Sequence, residues 1–119
     1  MKPTPKYIGR TLDDPKLDEI LMFSGFNFFV YILECADRSF YTGVTNNLDS
    51  RLWEHQNGII ESCYTFNKRP VSLVYFELYD LIKIAIAREK QLKGWSRGKK
   101  EALIAQDWDT LRRLSKKKK

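Results

Sequence analysis

The stretch Phe28–Glu34, FFVYILE, is β-branched or aromatic at most positions and apolar on both faces that strand alternation defines. It reads as a central strand, buried on both sides, and it sets the class of fold: a sheet with apolar packing above and below. Residues 36–39, ADRS, supply turn chemistry, and Phe40–Thr45, FYTGVT, returns as a second strand. The pair is expected as an antiparallel hairpin. Loop length then decides which side chains share a face. A three-residue loop, 36–38, pairs Tyr31 with Gly43 and sets Tyr41 opposite Leu33, diagonal to Tyr31 on the same face. A two-residue loop, Asp37-Arg38, puts the two tyrosines on opposite faces. Gly43 inside a strand costs stability and marks a close approach; opposite Tyr31 it is expected to leave room for a ligand.

Asn46 and Asn47 offer N-caps for a helix over residues 48–57, stopped by Gly58. Residues 59–70 form a loop ending at Pro70, and 71–79, VSLVYFELY, a third strand. Asp80 can cap a helix over 81–93 that Gly94 ends, and Ser96 a last helix from Arg97 to about Gln106. The order β-β-α-β-α-α describes a small α/β (α+β) domain, a three-stranded antiparallel sheet flanked by helices. It occupies 28–107, after an N-terminal extension (1–27) with a short helix over 15–23 and before a basic tail (108–119).

A chain of 119 residues is one domain's worth, and 43% hydrophobic content excludes wholesale disorder. The longest mostly apolar stretch, residues 26–33, is far short of the ~20 residues that span a bilayer, and no secretory h-region follows the first lysines. Two cysteines, Cys35 and Cys63, make neither a disulfide framework nor a zinc site, so a reducing, cytoplasmic setting is expected. The net charge of +6 is unevenly spread: residues 1–27 are neutral, 28–80 carry −3 and 81–119 carry +9. A basic final third beside an acidic middle implies an anionic partner, nucleic acid first and an anionic membrane surface second. The terminal run of lysines 116–119 contributes to this charge and is expected to be solvated and frayed.

On the first helix of the domain, Leu48, Arg51, Leu52 and His55 fall at i, i+3, i+4 and i+7, one stripe. An arginine and the chain's one histidine therefore accompany core leucines toward the sheet or a cleft beside it. On the next helix Ile82, Ala85, Ile86 and Glu89 repeat the pattern, and a carboxylate in line with an apolar stripe needs a partner, a metal or a solvent cleft. The plain structural alternative is an Arg51–Glu89 salt bridge, with His55 at a helix C-terminus answering the dipole. Lys90, Lys93, Arg97, Lys99 and Lys100 surround the turn after Glu89. Trp95 in that turn is expected to pack the helix junction.

The ordered set Phe29-Val30-Tyr31, Tyr41-Thr42-Gly43, Arg51, His55 and Glu89 resembles the GIY-YIG nuclease superfamily. YTGVTNNLDSRLWEHQNG, RPVSLVYFE and AREKQLKGWSR look like its small single-domain bacterial branch, which is related to the N-terminal nuclease domain of a DNA repair excinuclease. Phe29 stands where the motif begins with glycine, and Cys63 and Phe66 stand where relatives often carry basic residues. The resemblance implies a metal-dependent DNA endonuclease, with a catalytically weak or inactive DNA- or RNA-binding module of the same fold as the alternative. It assigns Tyr31 and Tyr41 to the active site, Arg51 and His55 to the catalytic helix, and Glu89 to a single Mg²⁺ or Mn²⁺. Lys68, Arg69, Lys90, Lys93, Arg97, Lys99 and Lys100 are expected on the nucleic-acid backbone. Tyr31 is the expected general base and Tyr41 its substitute. A domain this small is also expected to take its targeting from a protein partner.

Overall fold

The computed structural model describes residues 4–23 and 25–116. Along the chain it runs β1 (Tyr7–Gly9), α1 (Pro15–Phe23), β2 (Phe28–Glu34), β3 (Phe40–Thr45), α2 (Leu48–Asn57), a 3-10 turn (Phe66–Lys68), β4 (Ser72–Tyr79), α3 (Ile82–Lys93), α4 (Arg97–Ile104) and α5 (Trp108–Ser115). The strands make one antiparallel sheet in the order β1-β4-β2-β3. The α+β class is as expected, but the sheet has four strands, not three. The added strand comes from the N-terminal extension: Tyr7 pairs with Leu78 and Gly9 with Phe76. Three residues ending in glycine carry too little alternation to signal a strand. A second addition is α5, in the segment expected as a basic tail. Residues 1–3 of the extension and lysines 117–119 of the terminal run lie outside the described residues.

The hairpin closes through the three-residue loop. The Cys35 N–H donates to the Ser39 carbonyl and the Arg38 N–H to the Cys35 carbonyl, each at 2.9 Å. Arg38 takes a positive φ of 72°, the left-handed residue such loops need. Tyr31 therefore faces Gly43, and Leu33 faces Tyr41. The Asn47 side chain accepts from the Ser50 N–H at 3.1 Å to start α2, and Gly58 ends it at φ 63°. Ser96 caps α4 through the Lys99 N–H. Asp80 does not cap α3; that helix starts from Leu81 with no side-chain cap.

Strand alternation sorts the core into two layers. Phe29, Tyr31 and Leu33 of β2, with Phe76 and Leu78 of β4, pack against Leu17 of α1 and Leu48 of α2. Val30, Ile32, Tyr75 and Tyr79 pack on the other face against Ala85 and Leu92 of α3 and Leu103 of α4. Each fully buried aliphatic side chain contributes roughly 1.5–3 kcal/mol, so β2 anchors both layers at once. The buried line of α3 is not the expected one. Ile82 and Ile86 are 42% and 38% exposed, whereas Ala85 and Leu92 are fully buried and Arg88 is half-buried between them. The cause lies on β4. The buried Glu77 carboxylate accepts from Arg88 Nε at 2.9 Å and Nη2 at 3.0 Å, and from the Tyr75 and Tyr79 hydroxyls at 2.7 Å each. That pairing turns Arg88 toward the sheet and rotates the isoleucines outward.

Candidate active site

The hairpin register brings Tyr31 and Tyr41 to one face of the sheet, their ring centroids 6.2 Å apart. His55, buried near the end of α2, packs against both, at 5.8 Å from Tyr31 and 5.0 Å from Tyr41. The space above Gly43 is not free for a ligand. A Cβ there would stand 2.5 Å from Cζ and from the hydroxyl of Tyr31, so the glycine makes room for the tyrosine itself.

A chain of hydrogen bonds runs through His55. Its Nε2 meets the Tyr31 hydroxyl at 2.8 Å and its Nδ1 meets Thr65 Oγ1 at 2.7 Å. The Thr65 hydroxyl in turn donates to Cys63 Sγ at 3.5 Å. With that proton spent, Nδ1 carries the ring hydrogen and donates to Thr65, and Nε2 is left to accept the Tyr31 O–H. Burial, then the Arg51 charge, hold His55 below its usual pKa and so keep it a neutral acceptor. Burial, reinforced by Tyr41 and opposed by Arg51, pushes the Tyr31 phenol well above the ordinary tyrosine value. Tyr41, half-buried on the solvent side, is raised by burial and then by Cys63. Burial also pushes the Cys63 thiol up, but hydrogen bonds with Thr65 and Tyr41 and the Arg51 charge outweigh it, leaving the thiol below its usual range.

Arg51 and Glu89 do not pair with each other. Arg51 lies 3.5 Å from Glu54 one turn along α2, and Glu89 lies 3.4 Å from Lys93 one turn along α3. Both charges still reach the tyrosines: Arg51 lowers and Glu89 raises the pKa of each. Among the described residues no three His, Cys, Asp or Glu side chains gather into a metal-binding group. A lone, mostly buried carboxylate nevertheless suits a small hard cation that takes most of its shell from water and phosphate, so Glu89 fits Mg²⁺ or Mn²⁺.

The expected phosphate-gripping residues divide. Lys68 pairs with Asp37 at 2.6 Å and stands over the Tyr64 ring at 4.8 Å. Arg69 is tied into its loop by a 3.1 Å bond from Nε to the Phe66 carbonyl. Lys90 is exposed beside Glu89, and Lys93 is Glu89's ion-pair partner. Arg97 reaches the hairpin turn, donating to the Arg38 carbonyl at 2.6 Å and stacking over Phe40. Lys99 turns away from the tyrosine site altogether, 4.3 Å above the Trp95 ring on the other face of the sheet. Lys100 is half-buried on α4. Trp95 packs the α3–α4 junction.

Two site residues have no signal in the sequence pattern. Thr65 orients His55, and Tyr64 stacks on Tyr41 at 6.1 Å with its own ring half exposed. Both sit in the 59–70 loop, where no periodicity announces direction. Their one available cue is position, directly after Cys63 in the sequence.

Two tyrosines on one hairpin face, packed against a histidine of the following helix and within electrostatic reach of Arg51 and of Glu89 on α3, fit a GIY-YIG nuclease fold. Residues 27–102 match the GIY-YIG catalytic domain, and the chain belongs to that family. Within it the chain is similar to the UPF0213 protein of Syntrophus aciditrophicus, 46% identical over 79 residues, 66% of this chain and 91% of the relative. A UPF0213 protein of Haloquadratum walsbyi is 41% identical over 81 residues, 68% of this chain and 90% of the relative. The solution NMR structure of a UPF0213 protein from Bacillus halodurans is 35% identical, covering 76% of this chain and 99% of that one, with a TM-score of 0.46. No helix of the described residues is long and apolar enough to cross a membrane.

Proposed function

We propose that this chain is a metal-dependent endonuclease that hydrolyses DNA phosphodiester bonds by in-line attack of water. The observation that carries the reading is the 2.8 Å contact between the Tyr31 hydroxyl and His55 Nε2. A phenol held above its usual pKa is no base by itself, because its phenolate is scarcely populated at neutral pH. With a neutral imidazole already in place the phenolate need not form: the Tyr31 oxygen takes a proton from water as its own proton passes to Nε2. Thr65 fixes the ring that receives it. Tyr41, on the solvent side, lines the approach, and Arg51 offers a forked, permanent positive charge to the phosphate as negative charge builds. A divalent cation held by Glu89 would supply Lewis-acid stabilisation of that charge. Lys68, Arg69, Lys90, Lys93, Arg97 and Lys100 are proposed to track the backbone.

A second reading, a nucleic-acid-binding module without turnover, has one observation in its favour: Arg51 and Glu89 are each engaged by a neighbour on their own helix. Pairs of that kind, partly exposed and one turn apart, are worth only about 0.3–0.5 kcal/mol. A phosphate or a divalent cation displaces them easily, so the enzyme reading stands ahead. The test is single-turnover cleavage of supercoiled, branched and single-stranded DNA with Mg²⁺ or Mn²⁺, beside melting with and without Mn²⁺. Glu89→Gln should retain DNA binding, lose cleavage by orders of magnitude and lose any Mn²⁺-dependent rise in Tm. Arg51→Ala should cut about 10²-fold slower. A wild-type chain that binds all three substrates and cuts none would establish the second reading.

A further inference from the structure

Opposite the tyrosine site, between the sheet and helices α3, α4 and α5, lies a cavity open to solvent, of about 890 Å³. That volume lies within the range of small-molecule sites. Two of its walls, Ile8 with the residues before it and α5, lie outside the stretch that matches the GIY-YIG domain. The nuclease reading makes no use of this space or of the charges around it.

The walls are specific in chemistry. The floor is the Glu77 cluster, whose carboxylate already accepts four hydrogen bonds, from Tyr75, Tyr79 and twice from Arg88. The one acidic side chain lining the cavity is thereby neutralised by Arg88. Lys99, Arg112 and Lys116 remain around the opening, Arg112 sharing its charge with the exposed Asp109 on α5. Stacking on Trp95 holds the Arg88 guanidinium at 5.1 Å and the Lys99 ammonium at 4.3 Å from its ring centre, so two cationic heads are fixed at the wall. Trp108, 42% exposed at the start of α5, offers an open aromatic face, and Leu111 and Ile84 also line the cavity. The amide NH₂ of Gln91 donates to nothing among the described residues, since Arg88 engages only its oxygen.

We propose that this cavity binds a nucleotide, its base against Trp108 and its phosphate on Lys99, Arg112 and Lys116. An apolar body with an aromatic face, a spare amide for a ring edge and a cationic mouth fit a planar heterocycle that carries an anion. The same chemistry is available from a free mononucleotide or from the terminal nucleotide of a single strand. The inference does not rest on the cleavage reading. It does account for a part of the C-terminal basic charge that lies on the face away from the Tyr31 site.

The test is an NMR titration of the three tryptophan indole N–H signals in the full-length chain, with AMP, adenosine, inorganic phosphate and a 5′-phosphorylated oligonucleotide as probes. Trp95 and Trp108 line the cavity, whereas Trp53 on α2 stands apart from it and is the internal control. AMP should shift the Trp95 and Trp108 signals saturably and leave Trp53 in place, with adenosine at least fivefold weaker and phosphate alone without saturation. Saturation by the oligonucleotide but not by AMP supports the site and assigns it to strand ends. Trp108→Ala and Arg112→Ala, at side chains more than a third exposed, should each weaken binding tenfold or more while keeping the wild-type fold by circular dichroism. Glu89→Gln should bind AMP as tightly as the wild type, which separates failure here from failure of the nuclease reading. No saturable shift at Trp95 and Trp108 with any probe, or equal shifts at Trp53, would overturn the proposal.

Discussion

Tyr31→Phe removes one oxygen and leaves the ring that fills the space over Gly43 unchanged. Two consequences follow, of different size and kind. The first is structural. His55 is buried, and its Nε2 would lose the one donor it has at 2.8 Å, a penalty of about 1–3 kcal/mol for a stranded acceptor. A chain of 119 residues has an unfolding entropy of roughly 250 cal/mol/K, so each kcal/mol is worth about 4 °C and Tm should fall by about 4–12 °C. The second is chemical. If Tyr31 passes the water's proton to His55, its loss should slow single-turnover cleavage by about 10²–10⁴. Rate and stability together separate the two roles, provided the assay is run well below the lowered Tm. The pH profile adds an independent mark. His55 must be neutral to accept, and burial sets its pKa below the usual 6.5, so the wild-type rate should rise through an acid limb below pH 6.5. Tyr31→Phe should flatten that limb, because nothing is left to hand His55 a proton. A variant that melts lower, cuts within threefold of the wild type and keeps its acid limb would refute the relay. A Tyr41→Phe variant losing the activity in its stead would then transfer the role to the exposed tyrosine.

Gly43→Ala should cost about 1–3 kcal/mol by overpacking, since the new Cβ would lie 2.5 Å from Tyr31 Cζ in mid-strand; thermal melting reads it, and an unchanged Tm would mean the hairpin opens freely there. Glu77→Ala should cost about 3–5 kcal/mol, roughly 12–20 °C, by leaving Arg88 without its carboxylate, and Glu77→Leu combined with Arg88→Met should recover most of that; no recovery would show that the cluster is more than a paired charge. Because the folded pKa of His55 lies below its unfolded value near 6.5, its contribution to stability is complete above that pH. It is lost as pH falls through the folded pKa, where the unfolded chain binds the extra proton. Denaturant titrations of wild type and His55→Gln should diverge over that window, and parallel curves would contradict the depressed histidine.

How much of this was legible in the sequence depended on whether a residue's direction is set locally. Strand alternation narrows Tyr31 and Tyr41 to two registers, and the three-residue loop found in the structure selects the one that puts them on a single face. Arg51 and His55 followed from helical spacing off Leu48. Glu89 stands out both from its line with an apolar stripe and from the family pattern, but the stripe itself is rotated in the structure, where Arg88 faces inward to meet Glu77 eleven residues earlier on another element. The three-residue edge strand has no legible pattern of its own and gains its meaning from pairing with β4. The last helix differs: Trp108 and Leu111 at helical spacing behind the Asp107 cap do mark it, and the basic charge of the segment draws the reading to a solvated tail.

The same division bears on what sets the reactivity of this chain. The motif residues reach their places largely by local rules, but the histidine tautomer that makes them useful is fixed from the 59–70 loop. Thr65 chooses the histidine tautomer, and the loop's Cys63 lies 3.6 Å from His55 Nδ1. A cation there would add to the charge of Arg51 and disfavour a protonated His55, and so disfavour the imidazolium that accepting the Tyr31 proton must create. A cysteine at this position brings no positive charge. Placing a positive charge there with Cys63→Lys should therefore move the acid limb of the cleavage profile to lower pH as the His55 pKa drops, while slowing the plateau rate because the relay becomes a poorer acceptor. If the limb moves up, or rate and limb stay fixed in a variant that folds normally, then Cys63 does not act on His55 and the loop serves only to hold the ring.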